Sequence, residues 1–201
     1  MTASTLPAER QETEAPLRPP LQLGVPAYAY PGTRPALWDR LLDIAPHLRF
    51  VVVNVHNGPG AKTDPAYAAA IDRLRAAGVC LVGYVDTDYA RVSPARVARA
   101  AGIWRRRYGV RGVFLDQVAG DLAHLEYFAA CAVGVRAAGA PFVVANPGTD
   151  CHPGYADLAN VIVSFEGRWS TYQQYSPPAW MLERPADRFC HLVHSTPTRR
   201  L

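Results

Sequence analysis

The chain has 201 residues, 49% of them hydrophobic and 19% charged, with a formal net charge of +4. That length suits one well-buried α/β domain and is short for two, and the composition suits a packed core. The charge is mild, and the arginines (Arg96, Arg99, Arg105, Arg106, Arg107) are scattered rather than gathered in a basic tract interleaved with aromatics, which speaks against nucleic-acid binding.

No run of about twenty apolar residues occurs, so no transmembrane helix and no membrane partner are expected. Residues 1–20 are rich in Thr, Ala, Glu and Pro and read as a disordered leader without an apolar signal core. The expected compartment is therefore the cytoplasm, or the exterior if the true start lies further upstream. Residues 21–201 are expected to form a single barrel domain. Cys80, Cys131, Cys151 and Cys190 are far apart, and no pair has zinc-ligand or redox spacing. Cys80 and Cys190 lie in apolar runs and read as small buried hydrophobes, with one disulfide left open.

In chain order, Leu21 to Tyr30 alternates like a strand and ends at the turn signal Pro31-Gly32. Thr33 is a candidate helix cap ahead of Leu37, Trp38, Leu41, Leu42 and Ile44. Phe50 to Asn54 is a buried strand running into the loop Val55-His56-Asn57-Gly58-Pro59-Gly60. Asp64-Pro65 opens a helix through Ile71 and Leu74 to Gly78, and Val79 to Val85 is the third strand, ending in Asp86-Thr87-Asp88-Tyr89. Ser93-Pro94 predicts a capped helix start, and that helix runs through Trp104 and Tyr108 to Gly109. Val113-Phe114-Leu115-Asp116 is the fourth strand, and Leu125, Phe128, Ala132 and Val135 mark the next helix. Phe142 to Asn146, Val161 to Glu166 and Phe189 to His194 are the last three strands, with short helical pieces at Tyr155–Leu158 and around Thr171–Gln174.

Strand and helix thus alternate, and the strands are continuous apolar runs, as when both faces are covered. No Gly-x-Gly-x-x-Gly follows the first strand, so a dinucleotide fold loses support. The expectation is a (β/α)8 barrel of TIM type, incomplete after its seventh strand.

In a barrel the C-terminal strand ends converge on one rim. Those ends carry Tyr28 and Tyr30, then Asn54, His56 and Asn57, then Asp86 and Asp88, then Asp116 and Gln117, then Asn146, Glu166, and finally His191 and His194. Carboxylates, amides and aromatic rings suit sugar hydroxyls and sugar faces. Plainer uses exist for several: the tyrosines could pack, Asn146 could shape the turn at Pro147-Gly148, and one histidine could be a satisfied core residue. Asp116 and Glu166 stand apart, because a carboxylate ending an apolar run is costly to desolvate without partners or a task. Two carboxylates facing each other across a sugar could act as proton donor and as nucleophile or base. A metal site from His56, Asp86, Asp116 and Glu166 is the competing use, but no compact ligand motif supports it.

The motifs Val25-Pro-Ala-Tyr28, Asn54 with Asn57-Gly-Pro-Gly60, Asp64-Pro-Ala-Tyr67, Gly83-Tyr-Val-Asp-Thr87, Tyr108 to Asp116, Asn146-Pro-Gly-Thr149, Phe165-Glu166 and His191-Leu-Val-His194 occur in that order. Over about residues 22–194 the chain resembles the spherulin 4 (spherulation-specific) family of glycoside hydrolases, related to endo-α-1,4-galactosaminidases. The resemblance implies a (β/α)8 barrel that cleaves α-1,4-linked galactosamine and N-acetylgalactosamine polysaccharide, such as galactosaminogalactan. It implies Asp116 as nucleophile or base, Glu166 as proton donor, and no metal or organic cofactor. Tyr28, Asn54, Asn57, Asp86, Gln117, Asn146 and His194 are the expected substrate-binding residues.

Two departures are visible. The family reads Asp-Glu after the fourth strand, whereas this chain has Asp116-Gln117, and an amide cannot ionise. The family also continues to an eighth strand beyond the position of His194, so an open barrel edge is expected here, with a second copy of the chain as its cover. The alternative function is accordingly a catalytically impaired carbohydrate-binding barrel.

Overall fold

The computed structural model of the protein describes residues 21–197. The expected leader over 1–20, and residues 198–201, lie outside the described residues. Seven strands form one sheet in chain order: β1 (Leu23–Ala27), β2 (Leu48–Val53), β3 (Leu81–Asp86), β4 (Gly112–Asp116), β5 (Phe142–Ala145), β6 (Val161–Arg168) and β7 (Phe189–His194). Every neighbouring pair is parallel. The connections carry α1 (Pro35–Asp43), α2 (Pro65–Ala76), α3 (Pro94–Tyr108), α4 (Leu125–Ala137), α5 (Tyr155–Leu158), α6 (Trp169–Tyr172) and α7 (Ala179–Leu182). This is the expected TIM-like barrel, nearly closed.

Alternation along the strands sorts the apolar residues into two layers. Phe50, Val52, Val82, Tyr84, Phe114, Val144, Val161 and Val163 cluster inside the barrel. Val51, Val53, Val85, Val113, Leu115 and Val143 face outward, against Ile71, Leu74, Val97, Trp104, Phe128 and Val135 of the helices. Each such side chain stabilises the fold by about 1.5–3 kcal/mol when fully buried. The contact between α3 and β3 is close because Gly83 has no side chain. A Cβ there would lie 2.4 Å from the Trp104 ring, which is fully buried and donates its Nε1–H to the Tyr84 carbonyl at 2.9 Å.

Helix starts follow the sequence unevenly. Asp64 caps α2, its Oδ1 accepting from the N–H groups of Ala66 (2.9 Å) and Tyr67 (3.1 Å). Ser93 occupies the cap position of α3 in extended conformation, but its hydroxyl makes no capping bond. Pro94, with φ preset and no N–H to satisfy, starts that helix without it. At α1 the cap position is Arg34 rather than Thr33, whose hydroxyl donates back to the Tyr30 carbonyl at 3.4 Å. All four cysteines are free thiols, and burial pushes Cys151 up to about 12 and Cys190 up to about 11.

Two features mark the last strands, the first being the open edge expected from the missing eighth strand. No described strand joins β7 back to β1. Residues of both strands, among them Leu23, Gly24, Cys190 and Val193, line a cavity of about 510 Å³ together with Phe50 and Met181. The second feature is a bulge in β6. Val163 pairs with Cys190 and Phe165 with His191, leaving Ser164 as the extra residue. Val161 and Val163 point into the barrel, so strict alternation would send Phe165 inward and Glu166 outward. The extra residue reverses this. Phe165 packs outside against Tyr172, Tyr175 and His191, and Glu166 pairs with Leu192 on the inner side.

Candidate active site

Asp116 ends β4 beside Asp86, its register partner at the end of β3. Both its oxygens are used. The Tyr84 hydroxyl donates to Oδ2 at 2.7 Å and the Asn146 amide to Oδ1 at 2.7 Å. The same Asn146 nitrogen donates to Glu166 Oε2 at 2.8 Å. Asn146 therefore bridges the two carboxylates that the sequence singles out. Its position is over-determined: it is 5% exposed, its N–H donates to the Leu115 carbonyl at 2.8 Å, and its own carbonyl accepts from Val118 N–H at 3.1 Å. The Asn146 Oδ1 is buried with no partner, so the side chain serves as a donor toward the acids.

The two bonds share one donor, so the bridged oxygens of Asp116 and Glu166 are no farther apart than 2.7 and 2.8 Å laid end to end, about 5.5 Å. Glu166 is exposed at the mouth, while Asp116 is half-buried beneath it. Gly148 sits against this pair: a Cβ there would come within 3.4 Å of the Glu166 Cβ, and the Gly148 carbonyl accepts from Glu166 N–H at 2.9 Å. The turn after β5 thus fixes the backbone of one acid while Asn146 fixes its carboxylate.

Tyr28 stands over the same place. Its ring meets Tyr84 edge-on at 6.1 Å, and it is half-exposed. Burial pushes its phenol well above the usual range, and the charges of Asp116 and Glu166 add to the effect. Tyr84 is raised likewise, by burial first and then by its bond to Asp116. Both phenols therefore stay protonated as O–H donors at any ordinary pH.

The remaining expected residues divide. Asp86 joins the rim, its Oδ2 accepting from Asn57 Nδ2 at 3.1 Å and its Oδ1 from Asp88 N–H at 2.8 Å. Asn54 shapes the loop, its Oδ1 accepting from Gly58 N–H at 2.9 Å. Gln117 follows Asp116 with a positive φ of 54°, and its carbonyl accepts from Tyr89 N–H at 3.0 Å. His194 is exposed and bonds Ser195 Oγ at 3.0 Å. His191 faces away from the barrel interior into the ring cluster, its Nδ1 2.9 Å from the Tyr172 hydroxyl, and burial lowers its pKa. Among the described residues no three His, Cys, Asp or Glu side chains gather closely enough to hold a metal ion.

Two site residues escaped the strand-end reading. Tyr84 lies two positions before Asp86 on β3, so alternation places both on the inner face, and that spacing was the available signal. Thr87 is fully buried, and its hydroxyl is within bonding distance of the carbonyls of both Asp116 (2.7 Å) and Gln117 (2.9 Å). It closes the motif Gly83 to Thr87, but its role was not readable there, because its partners lie at the end of the neighbouring strand.

The sequence pattern of the family described as Spherulation-specific family 4 matches residues 22–201. Spherulin-4 of Physarum polycephalum is 28% identical over 189 residues, which cover 88% of this chain and 56% of that protein. The chain thus spans about half the length of this relative. Among solved structures, Sph3 of Aspergillus clavatus in complex with GalNAc matches with a TM-score of 0.77 and 30% identity, over 90% of this chain and 80% of that one. Strand order, the shared rim and these matches agree: the chain belongs to spherulation-specific family 4.

Proposed function

We propose that the protein is a glycoside hydrolase that cleaves α-1,4-linked galactosamine and N-acetylgalactosamine polysaccharide. The observation that carries this reading is the Asn146 bridge, which holds two carboxylates from separate strands at the mouth of one barrel. The GalNAc held by the Sph3 structure supports an amino sugar as the class of ligand.

The two acids differ in a way that suggests their roles. Asp116 has a donor on each oxygen and lies deeper, as befits a group held in one orientation to meet the anomeric carbon. Glu166 is exposed and has one oxygen on Asn146, leaving Oε1 free to reach a glycosidic oxygen. In this reading Glu166 gives its proton to the leaving oxygen while Asp116 forms a bond to the anomeric carbon. Glu166 then takes a proton from the water that breaks that bond. Retaining glycosidases hold their carboxyl groups about 5–5.5 Å apart, and inverting ones about 6.5–9.5 Å. The two bonds to Asn146 keep one oxygen of each carboxyl within about 5.5 Å of the other, a spacing compatible with retention.

A second reading rests on Gln117. An amide beside the acid Asp116 keeps hydrogen bonding but supplies no proton, which fits a barrel that binds the same glycan without turnover. One experiment separates the two: reducing-end release from galactosaminogalactan by the parent, Glu166→Gln and Gln117→Glu proteins. The hydrolase reading expects release by the parent and none by Glu166→Gln. Equal release by both would sink it. The binding reading expects no release by the parent and a gain with Gln117→Glu.

A further inference from the structure

The turn after β3 holds three successive left-handed residues. Asp88, Tyr89 and Ala90 all have positive φ, 44°, 50° and 72°, and none is glycine. Left-handed conformations are disfavoured for L-residues and occur mostly singly, so three in succession persist only where surrounding bonds impose them. Those bonds are present. Asp86 Oδ1 accepts from Asp88 N–H, the Thr87 N–H and hydroxyl reach the Asp116 carbonyl, and Tyr89 N–H donates to the Gln117 carbonyl at 3.0 Å. Gln117 itself has positive φ, so two left-handed turns are laced together beside Asp116.

The side chain displayed by this turn is a large ring. Tyr89 is 54% exposed. A turn needed only for its path would be built more cheaply with glycine, which takes positive φ without a clash. A half-exposed aromatic residue kept at such a position, one hydrogen bond from the residue after Asp116, has a use outside the fold.

We propose that Tyr89 is a sugar-stacking residue, offering its ring to the face of a pyranose unit adjoining the one at Asp116 and so extending the cleft along a polymer. The inference rests on the hydrolase or glycan-binding reading of the site. It adds a contact to a second sugar unit, which the two acids do not supply.

The test is calorimetric titration in the Glu166→Gln background, with GalNAc, with α-1,4-linked galactosamine and N-acetylgalactosamine oligomers, and with α-1,4-glucan oligomers. Tyr89→Ala is expected to weaken amino-sugar oligomers by up to about tenfold and to leave GalNAc unchanged. Tyr89→Trp is expected to keep oligomer affinity. Tyr89→Gly is expected to lose the same affinity while raising the melting temperature, because the left-handed strain is relieved. A tyrosine with a merely structural role would lower it. Oligomer affinity that is indifferent to Tyr89, or an equal loss for monomer and oligomer, overturns the inference and leaves the amino-sugar reading intact. Tyr89-dependent binding of glucan oligomers alone upholds the platform and removes the amino-sugar reading. If no oligomer binds, both fail.

Discussion

Replacing Tyr84 with Phe removes one oxygen from the site and little else. The ring is 6% exposed, stacks on Phe114 at 6.4 Å and meets Tyr28 edge-on at 6.1 Å, contacts that a phenylalanine keeps. The lost interaction is the 2.7 Å bond from its hydroxyl to Asp116 Oδ2. Hydrogen bonds to charged groups are worth about 1.5–3 kcal/mol. If that bond orients Asp116 for attack, its loss falls on the transition state and lowers kcat by roughly 10- to 150-fold. KM should move little, because in the proposed mechanism Asp116 acts on the reacting carbon rather than on the distant parts of the polymer. The assay is initial-rate release of reducing ends from galactosaminogalactan over a range of concentrations, paired with thermal melting. Asp116 is only half-buried, so water can replace the hydroxyl, and the melting shift should correspond to about 1 kcal/mol or less. A folded variant with kcat within about threefold of the parent would refute the orienting role.

Further expectations concern the scaffold. Gly83→Ala drives a methyl group into the buried Trp104 ring and should destabilise by about 1–3 kcal/mol, seen as a lower denaturant midpoint. Deleting Ser164 removes the β6 bulge but keeps the register to β7, leaving Phe165 outward and Glu166 inward, so a folded barrel and glycan turnover should both persist. Loss of turnover in that folded variant would contradict this register. His191 has its pKa lowered by burial, so the unfolded chain binds its proton more readily. Stability from this group is present at neutral pH and falls as pH drops below about 6.5. His191→Phe should flatten the melting temperature between about pH 7 and 5, and an unchanged slope would contradict the assignment. Tyr28 and Tyr84 should be missing from the phenolate absorbance that rises near pH 10, because burial and the nearby acids hold both phenols up.

The strands were legible from sequence because each is a short apolar run buried on both faces, and such runs have few other places to go. Their polar ends were legible for the same reason: Asp86, Asp116 and Asn146 each interrupt an apolar run at its C-terminal end. Asp64 was readable as a cap because its bonds are local, reaching Ala66 and Tyr67. What required the tertiary structure depends on neighbours distant in sequence. Glu166 reaches Asn146 only because β6 gains a residue against β7, and a lone serine in the run Val161 to Phe165 does not by itself announce a bulge. Asn146 joins the two acids through residues 30 and 20 positions away. The backbone of Thr87 and Tyr89 is held by carbonyls of the next strand. The open edge between β7 and β1 was expected from the missing eighth strand, but the cavity lined by residues of both appears only when the sheet curls and its two ends approach. Local composition dictates which segments become strands; register and curvature decide which side chains meet, and those arise from pairing between segments rather than from any one of them.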